Sequence, residues 1–297
     1  MQWVRGRSPG SDMNISNLRF ADANASFEDA SFVIMGIPFD RTTSFRPGAR
    51  HAPNAIRVSS YNFETFLFEH GIDLVDVPIH DAGDFEEVGT VDDMVDGVLP
   101  VAKEIVKAGK FPLFMGGEHS VTIPAVRPFN DIGVIIIDAH LDYRESYLGL
   151  KNSHACVTRR ISEHVGLDNV VVFGVRSISS DEIGDQMPRY FDAFTIKEMG
   201  VEEAFRKALN SIKKDRIFFS LDIDGIDPAY APGTGTPEPF GLSPYDVKKC
   251  LNIVAPKLVG FDVSEVSPPY DNGNTAALAA RMIREVIAVV WKQRSLR

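Results

Sequence analysis

Seven short apolar runs, rich in Val, Ile and Phe, constrain the fold of this chain more than any other feature. They are FVIMGI (32–37), IDLVDV (72–77), FPLFM (111–115), GVIII (133–137), NVVVFGV (169–175), RIFFSLD (216–222) and LVGFDV (258–263). Their length and their β-branched and aromatic content mark them as strands. They are apolar nearly throughout instead of alternating, so both faces need cover, as in a parallel sheet flanked by helices. Between them lie stretches of helical spacing at 53–64, 91–108, 157–164, 201–213, 244–253 and 275–292, with Pro53 and Pro244 suited to a first helical turn. This alternation is that of βαβ units and predicts the α/β class. No repeat or low-complexity linker divides the 297 residues, and the Gly/Pro-rich stretch 225–244 is too short for a domain joint. The chain therefore reads as one domain over 1–297, with residues 1–12 as a disordered leader and Met13 as an alternative start.

Composition narrows the function classes. A formal charge of -10 argues against non-specific nucleic-acid binding, which needs a basic surface, and suits a small cationic substrate. No apolar run reaches the roughly 18 residues of a membrane helix, so no membrane partner is expected. The two early arginines are not followed by the apolar segment of a secretory signal. Cys156 and Cys250 are far apart and form no CxxC pair, which suggests neither a disulfide framework nor a zinc knuckle. The reading is a soluble, cytoplasmic protein in which Cys156 is a buried, inert thiol.

Ligands of open parallel sheets sit beyond the carboxyl ends of the strands. Three strand ends stand out there. GGEHS, with His119, follows 111–115; DAHLD, with Asp138, His140 and Asp142 at spacing two, follows 133–137; and DIDGIDP, with Asp222 and Asp224, ends 216–222. Singly, each is ordinary, since a post-strand Asp often caps a turn and a lone His is often a satisfied core residue. Together, four carboxylates meeting at one sheet edge repel, and cations or protons must offset that. Six groups exceed one tetrahedral zinc site. Two divalent ions about 3.5–4 Å apart, sharing aspartates, use all six, and oxygen-rich ligation with some imidazole favours manganese or magnesium.

GGEHS, DAHLD and SLDIDGIDPAYAPGTGTPEPFGLS, in this order, resemble the signatures of the ureohydrolases, the arginase and agmatinase family. The resemblance runs from GIPFDRTTSFRPGARHAPNAIR near residue 36 to DNGNTAALAA near 280, and NSHACVTRR at 152–160 is similar to archaeal-type agmatinases in particular. It implies a three-layer α/β/α sandwich on a mainly parallel eight-stranded sheet. That is one strand more than the seven runs, with RYFDAFT (189–195) as the candidate. It implies two Mn2+ per chain, one held by His119, Asp138, Asp142 and Asp222, the other by His140 and Asp224 with Asp138 and Asp222 bridging. Glu265, in FDVSEVSPP, is then the group that grips the substrate guanidinium through paired charge-assisted hydrogen bonds. His154 becomes a proton shuttle, and Asp142 relays a proton to the leaving amine.

The expected reaction is attack of a metal-bridging hydroxide on the guanidinium carbon of agmatine, giving putrescine and urea. Arginases of the family hold the α-carboxylate partly with an Asn two residues after DAHxD, where this chain has Arg144, so the arginine pattern is absent. Arg144 could itself pair with a substrate carboxylate, which keeps 4-guanidinobutyrate open, and N1-aminopropylagmatine suits a longer acidic pocket. Related deacetylases share only the DxH…D part, and a non-catalytic relative would lack ligands that this chain has. The family's trimers and hexamers imply a homo-oligomer. Asp227, before Pro228, reads as turn structure, and GTGTPEPFG (233–241) reads as a rigid loop similar to the family's active-site rim.

Overall fold

A computed structural model of the chain describes residues 18–86 and 88–295, so the leader expected at 1–12 lies outside the described residues. Its strands are β1 (Phe32–Ile37), β2 (Phe66–Leu67), β3 (Ile72–Asp73), β4 (Ile79–Asp84), β5 (Phe111–Gly116), β6 (Gly133–Ile137), β7 (Val170–Val175), β8 (Arg189–Asp192), β9 (Ile217–Asp222) and β10 (Leu258–Ser264). The α-helices are α1 (Ala52–Ser60), α2 (Val91–Lys107), α3 (Thr122–Val126), α4 (Val157–Val165), α5 (Ala193–Met199), α6 (Val201–Ser211), α7 (Pro244–Val254) and α8 (Asn274–Ser295). Eight strands form one sheet in the order β4-β1-β5-β10-β9-β6-β7-β8, and every neighbouring pair is parallel. β2 and β3 make a small antiparallel pair apart from it.

The continuous apolar runs are explained by cover on both faces. In β6, Ile135 and Ile137 join a core with Ile56 of α1, Phe205 of α6, Leu251 of α7 and Ile283 of α8. Val134 and Ile136 face the other way, into a core with Met94 of α2, Ile123 of α3 and Ile161 of α4. The result is a three-layer α/β/α arrangement. Local signals start the helices as expected. Ser243 Oγ accepts from the Asp246 amide, the Asp246 carboxylate accepts in return from the Ser243 amide, and Pro244 fills the first position of α7. Thr90 caps α2 in the same sense, with Asp92 and Asp93 in its first turn.

Three expectations need correction. The run at 72–77 is not a strand of the main sheet: only Ile72–Asp73 is extended, Leu74–Asp76 form a 3-10 turn, and the apolar signal came from Leu74 and Val77 dropping into the core. The strand lies at β4, whose sequence IHDAGD is polar because it is an edge strand, paired only with β1. Its buried Asp81 is matched by Arg57 of α1, with both bonds at 2.8 Å. The stretch 189–195 does supply a strand of the main sheet, β8, but is extended only to Asp192, whose carboxylate accepts from the Thr195 amide and starts α5. Helix α1 also stops at Ser60, four residues early, where the Ser60 hydroxyl bonds back to the Arg57 carbonyl.

Strand order places the functional edge. The chain steps from β5 over two positions to β6, continues outward to β7 and β8, then turns back to fill the gap with β9 and β10. The connections leaving neighbouring β6 and β9 therefore run in opposite directions at the sheet centre. Crevices at such reversals are where ligands bind. The four adjacent central strands β5, β10, β9 and β6 end together there. Among the described residues, no helix is long and apolar enough to cross a membrane.

Candidate metal centre and active site

His119 begins a 3-10 turn after β5, Asp138 follows β6, Asp222 ends β9 and Glu265 follows β10, so four strand tips deliver the site. Two glycines permit the close approach. A Cβ on Gly117 would fall 2.0 Å from the Phe39 carbonyl oxygen, and one on Gly225 would fall 2.8 Å from the Asp138 amide nitrogen. DAHLD is not a continuation of the strand, as spacing two suggested: β6 stops at Ile137 and Asp142 has φ +50°. The alternation survives all the same, with Ala139 and Leu141 buried on the opposite side. Glu265 is also left-handed, at φ +60°. Two non-glycine residues of one site in this region are held there by their surroundings at a cost of order 1–3 kcal/mol each.

The six expected metal-binding residues converge. His119 Nδ1 lies 3.1 Å from Asp138 Oδ2, 3.1 Å from Asp142 Oδ2 and 3.2 Å from Asp222 Oδ2. His140 Nδ1 lies 3.1 Å from Asp224 Oδ2 and 3.5 Å from Asp138 Oδ1. These are two donor sets, and Asp138 gives one oxygen to each. Asp222 contributes Oδ2 to the first set, while its Oδ1 accepts from the Asp224 amide at 2.9 Å. The fit to cations is good on two counts. Asp138 Oδ2 is fully buried without a hydrogen-bond partner, and both sets meet the spacing of metal ligands, His119–Asp138–Asp142 and Asp138–His140–Asp224.

A layer behind these groups orients them. Ser220 Oγ donates to Asp262 Oδ1 at 2.8 Å and lies 3.2 Å from His119 Nε2. Its single proton is thus committed to Asp262, so it accepts from His119 Nε2–H, and Nδ1 is the nitrogen aimed at the carboxylates, where on losing its proton it would offer its lone pair to a cation. Thr236 Oγ1 donates to Asp224 Oδ2 at 3.2 Å, and the Ala139 amide to Asp224 Oδ1 at 3.2 Å. One oxygen of Glu265 accepts from the His119 amide at 2.7 Å. Glu265 is buried, not the solvated loop carboxylate that its position alone allowed.

Above the donor sets opens a cavity of about 290 Å³, with His140, Asp142, Asp222, Asp224 and Glu265 on its lining. Its walls include Ser44, Arg144, Tyr147, His154 and Ser177. His154 sits in a 3-10 turn just before α4, its ring edge-on to Tyr147. Arg144 reaches the cavity but is already engaged: its guanidinium bonds Asp181 at 2.6 Å and lies over the Tyr147 ring. Asp227 is a turn residue as expected, accepting from the Ala229 and Gly241 amides and so tying the two ends of the 227–241 loop together.

The protein atoms alone cannot keep all these carboxylates ionised. Burial, then the Asp138 charge, pushes Asp142 up to about 7. Burial, then Asp224 and Asp138, pushes Asp222 well above the usual carboxylate range, and burial, then Glu118, does the same to Glu265. Burial works against charging His119 and His140, but the surrounding carboxylates outweigh it and raise both well above an ordinary imidazole. For Asp138 burial is likewise outweighed, here by bonds from the two histidines, and its acidity increases. Such a concentration of displaced acidities is typical of catalytic sites. His154 is pushed down to about 4, by burial first and then by the two histidine charges, so it is neutral at neutral pH. Burial raises the Cys156 thiol to about 11, in keeping with an unreactive side chain.

A family model described as the Arginase family matches residues 30–289. The chain belongs to the arginase family. Among its relatives in the family, the agmatinase of Pyrococcus horikoshii is 35% identical over 88% of this chain and 93% of that protein. The N(1)-aminopropylagmatine ureohydrolase of Thermococcus kodakarensis is 34% identical, over 89% and 92%. A solved structure, the agmatine ureohydrolase of Thermoplasma volcanium, superposes with a TM-score of 0.91 at 41% identity, covering 96% of this chain and 98% of that one. This arginase-family chain is an enzyme of the ureohydrolase type with residue clusters fit for metal. Sequence reasoning missed Glu118, Ser220, Asp262, Thr42 and Thr236. Asp262 alone carried a signal, as one acid inside an otherwise apolar, doubly covered strand.

Proposed function

We propose that this chain hydrolyses the guanidinium group of agmatine to putrescine and urea, using two manganese ions held by His119, Asp138, Asp142, Asp222, His140 and Asp224. The observation that carries the reading is the sharing of Asp138 between two imidazole-carboxylate sets at the floor of one cavity. When bound, a pair of divalent cations makes a water acidic enough to supply the nucleophile at neutral pH. Glu265 anchors the substrate guanidinium from the cavity floor. One of its oxygens is fixed by the His119 amide, so the carboxylate cannot swing away as the substrate binds. Asp142, beside the reacting carbon, takes and returns the proton that the leaving amine needs. His154, neutral and on the cavity wall, exchanges that proton with solvent.

Arg144 separates the candidate substrates. With Asp181 at 2.6 Å from its Nη1 the charge of Arg144 is already offset, so the carboxylate of 4-guanidinobutyrate or arginine would meet a neighbouring carboxylate there and gain less from the contact. An amine-tailed substrate meets no such repulsion, which supports agmatine, with N1-aminopropylagmatine as its longer analogue. The test is urea release from agmatine, N1-aminopropylagmatine, 4-guanidinobutyrate and arginine by protein stripped with a chelator and reloaded with manganese. Agmatine is expected to show the highest kcat/KM, stripped protein none. A higher kcat/KM for either carboxylate-bearing compound, or full urea release by the stripped protein, refutes the proposal.

A further inference from the structure

Glu118 is fully buried beside His119, yet its side chain turns away from both donor sets. It accepts three hydrogen bonds: from the Thr42 amide at 2.7 Å, the Thr42 hydroxyl at 2.6 Å and the Ser120 hydroxyl at 2.6 Å. Burial pushes its carboxyl up to about 7, and the Ser120 and Thr42 bonds work against that rise. Three donors on two oxygens is the environment of a carboxylate, since a carboxylic acid would need an acceptor of its own. Thr42 Oγ1 is in turn 3.1 Å from His154 Nδ1 and 3.0 Å from the His154 amide nitrogen. Through hydrogen bonds Glu118 is thus linked to the cavity wall by way of Thr42 and His154. Sequence proximity gives no hint of this, because residues 42, 118 and 154 belong to three different connections of the sheet.

A neutral imidazole carries one proton, on Nδ1 or on Nε2, and its neighbours decide which. The Thr42 hydroxyl has one proton, directed at Glu118. Facing His154 it has only lone pairs, and the amide of His154 already donates to one of them. If Nδ1 were bare, two lone pairs would confront each other at 3.1 Å in a buried site. With the proton on Nδ1, every group in the chain is satisfied. Ser153 Oγ, 3.2 Å from Nδ1, could serve either form by rotating its hydroxyl and so does not choose between them. Nε2, on the other side of the ring, faces Ser44 Oγ at 2.9 Å on the cavity wall, and Ser44 Oγ in turn lies 3.1 Å from the Tyr147 hydroxyl. These two hydroxyls can exchange donor and acceptor roles, so Ser44 can give its proton to Nε2 while Tyr147 donates to Ser44, and this side of the ring accommodates either tautomer.

We infer that Glu118 and Thr42 are positioning residues that fix His154 as the Nδ1–H tautomer and so present its Nε2 lone pair to the cavity as a proton acceptor. The arrangement parallels the Asp262–Ser220–His119 chain on the opposite side of the site, where a buried carboxylate again takes the proton of a hydroxyl and the hydroxyl orders a histidine. In the metal chain the outcome is an aimed ligand. At His154 it is an aimed base. The inference rests on the proton-transfer role proposed for His154, but the tautomer is a property of the protein without substrate.

The experiment compares Thr42→Val, which keeps shape and loses the hydroxyl, with Thr42→Ser, which keeps the hydroxyl. Ring-nitrogen correlation spectra, recorded with magnesium as a diamagnetic cation and assigned with a His154→Gln variant, read the tautomer. Steady-state kinetics with agmatine on the manganese-loaded enzyme read the consequence. Support is an Nδ1–H ring in the parent and in Thr42→Ser, loss of that form in Thr42→Val, and a kcat 10- to 100-fold lower in Thr42→Val with KM within about threefold. An Nε2–H ring in the parent overturns the inference whatever the substrate proves to be. So does an unchanged spectrum in a folded Thr42→Val protein. Absence of urea from every guanidino compound would refute the proposed reaction and leave the spectral result to judge the tautomer alone.

Discussion

Ser220→Ala tests the reading of the metal centre without touching a ligand. Among the described residues the change removes the one hydrogen-bond partner of His119 Nε2, in a position where both side chains are fully buried. The ring then has two courses. It can keep its proton on Nε2 and leave that group unsatisfied, at about 1–3 kcal/mol, or move the proton to Nδ1 and lose the lone pair that faces Asp138, Asp142 and Asp222. Either course weakens the metal-bound state more than the free one. Loss of such an outer partner typically lowers metal affinity 10- to 100-fold, about 1.4–2.8 kcal/mol, which agrees with the first figure. Chelator competition measures the affinity directly, and thermal unfolding across a manganese series measures it through linkage. At a free metal concentration 100 times Kd the parent gains about 2.7 kcal/mol from binding, and a tenfold weakening removes about half of that. A Ser220→Ala protein whose metal affinity stays within twofold, or whose stability falls equally with and without metal, refutes the argument.

Two further outcomes follow from charge pairs remote from the cavity. Arg57→Met should destabilise the fold by about 3–5 kcal/mol in denaturant titration, because it strands the buried Asp81 carboxylate that Arg57 holds with two bonds; a loss below 1 kcal/mol would show that water reaches Asp81. Glu285 has its acidity strengthened to about 2: burial opposes this, but His70 and Arg281 bonds and the Lys248 charge prevail. A depressed folded pKa gives stability that is present above the unfolded carboxylate value and is lost as pH falls toward 2. Glu285→Gln should therefore flatten the fall in melting temperature between pH 5 and pH 3, and an unchanged slope would rule the pair out as its source.

Much of this architecture is legible because parallel strands covered on both faces must be apolar along their whole length. β1, β5, β6, β7, β9 and β10 carry that mark. β4 does not, since an edge strand has one free side and its Asp81 is satisfied by a partner from another element. The carboxylates and imidazoles of the donor sets could be read off because each follows such a strand directly. The hydroxyls behind them could not: Thr42 and Ser220 are ordinary polar residues in sequence, and only the registers of β9 and β5 against β10 and the path of the loop after β1 bring them to their histidines.

The strand made last by the ribosome, β10, lies in the middle of the sheet, between β5 and β9. While a nascent chain waits for residues 258–264, those two strands have open edges where they should have a neighbour, and such edges invite pairing with other molecules. Glu265 also arrives only with that final insertion. The anchoring proposed for Glu265 is therefore available only once β10 is in place, and substrate binding can serve as an assay of whether that insertion has taken place.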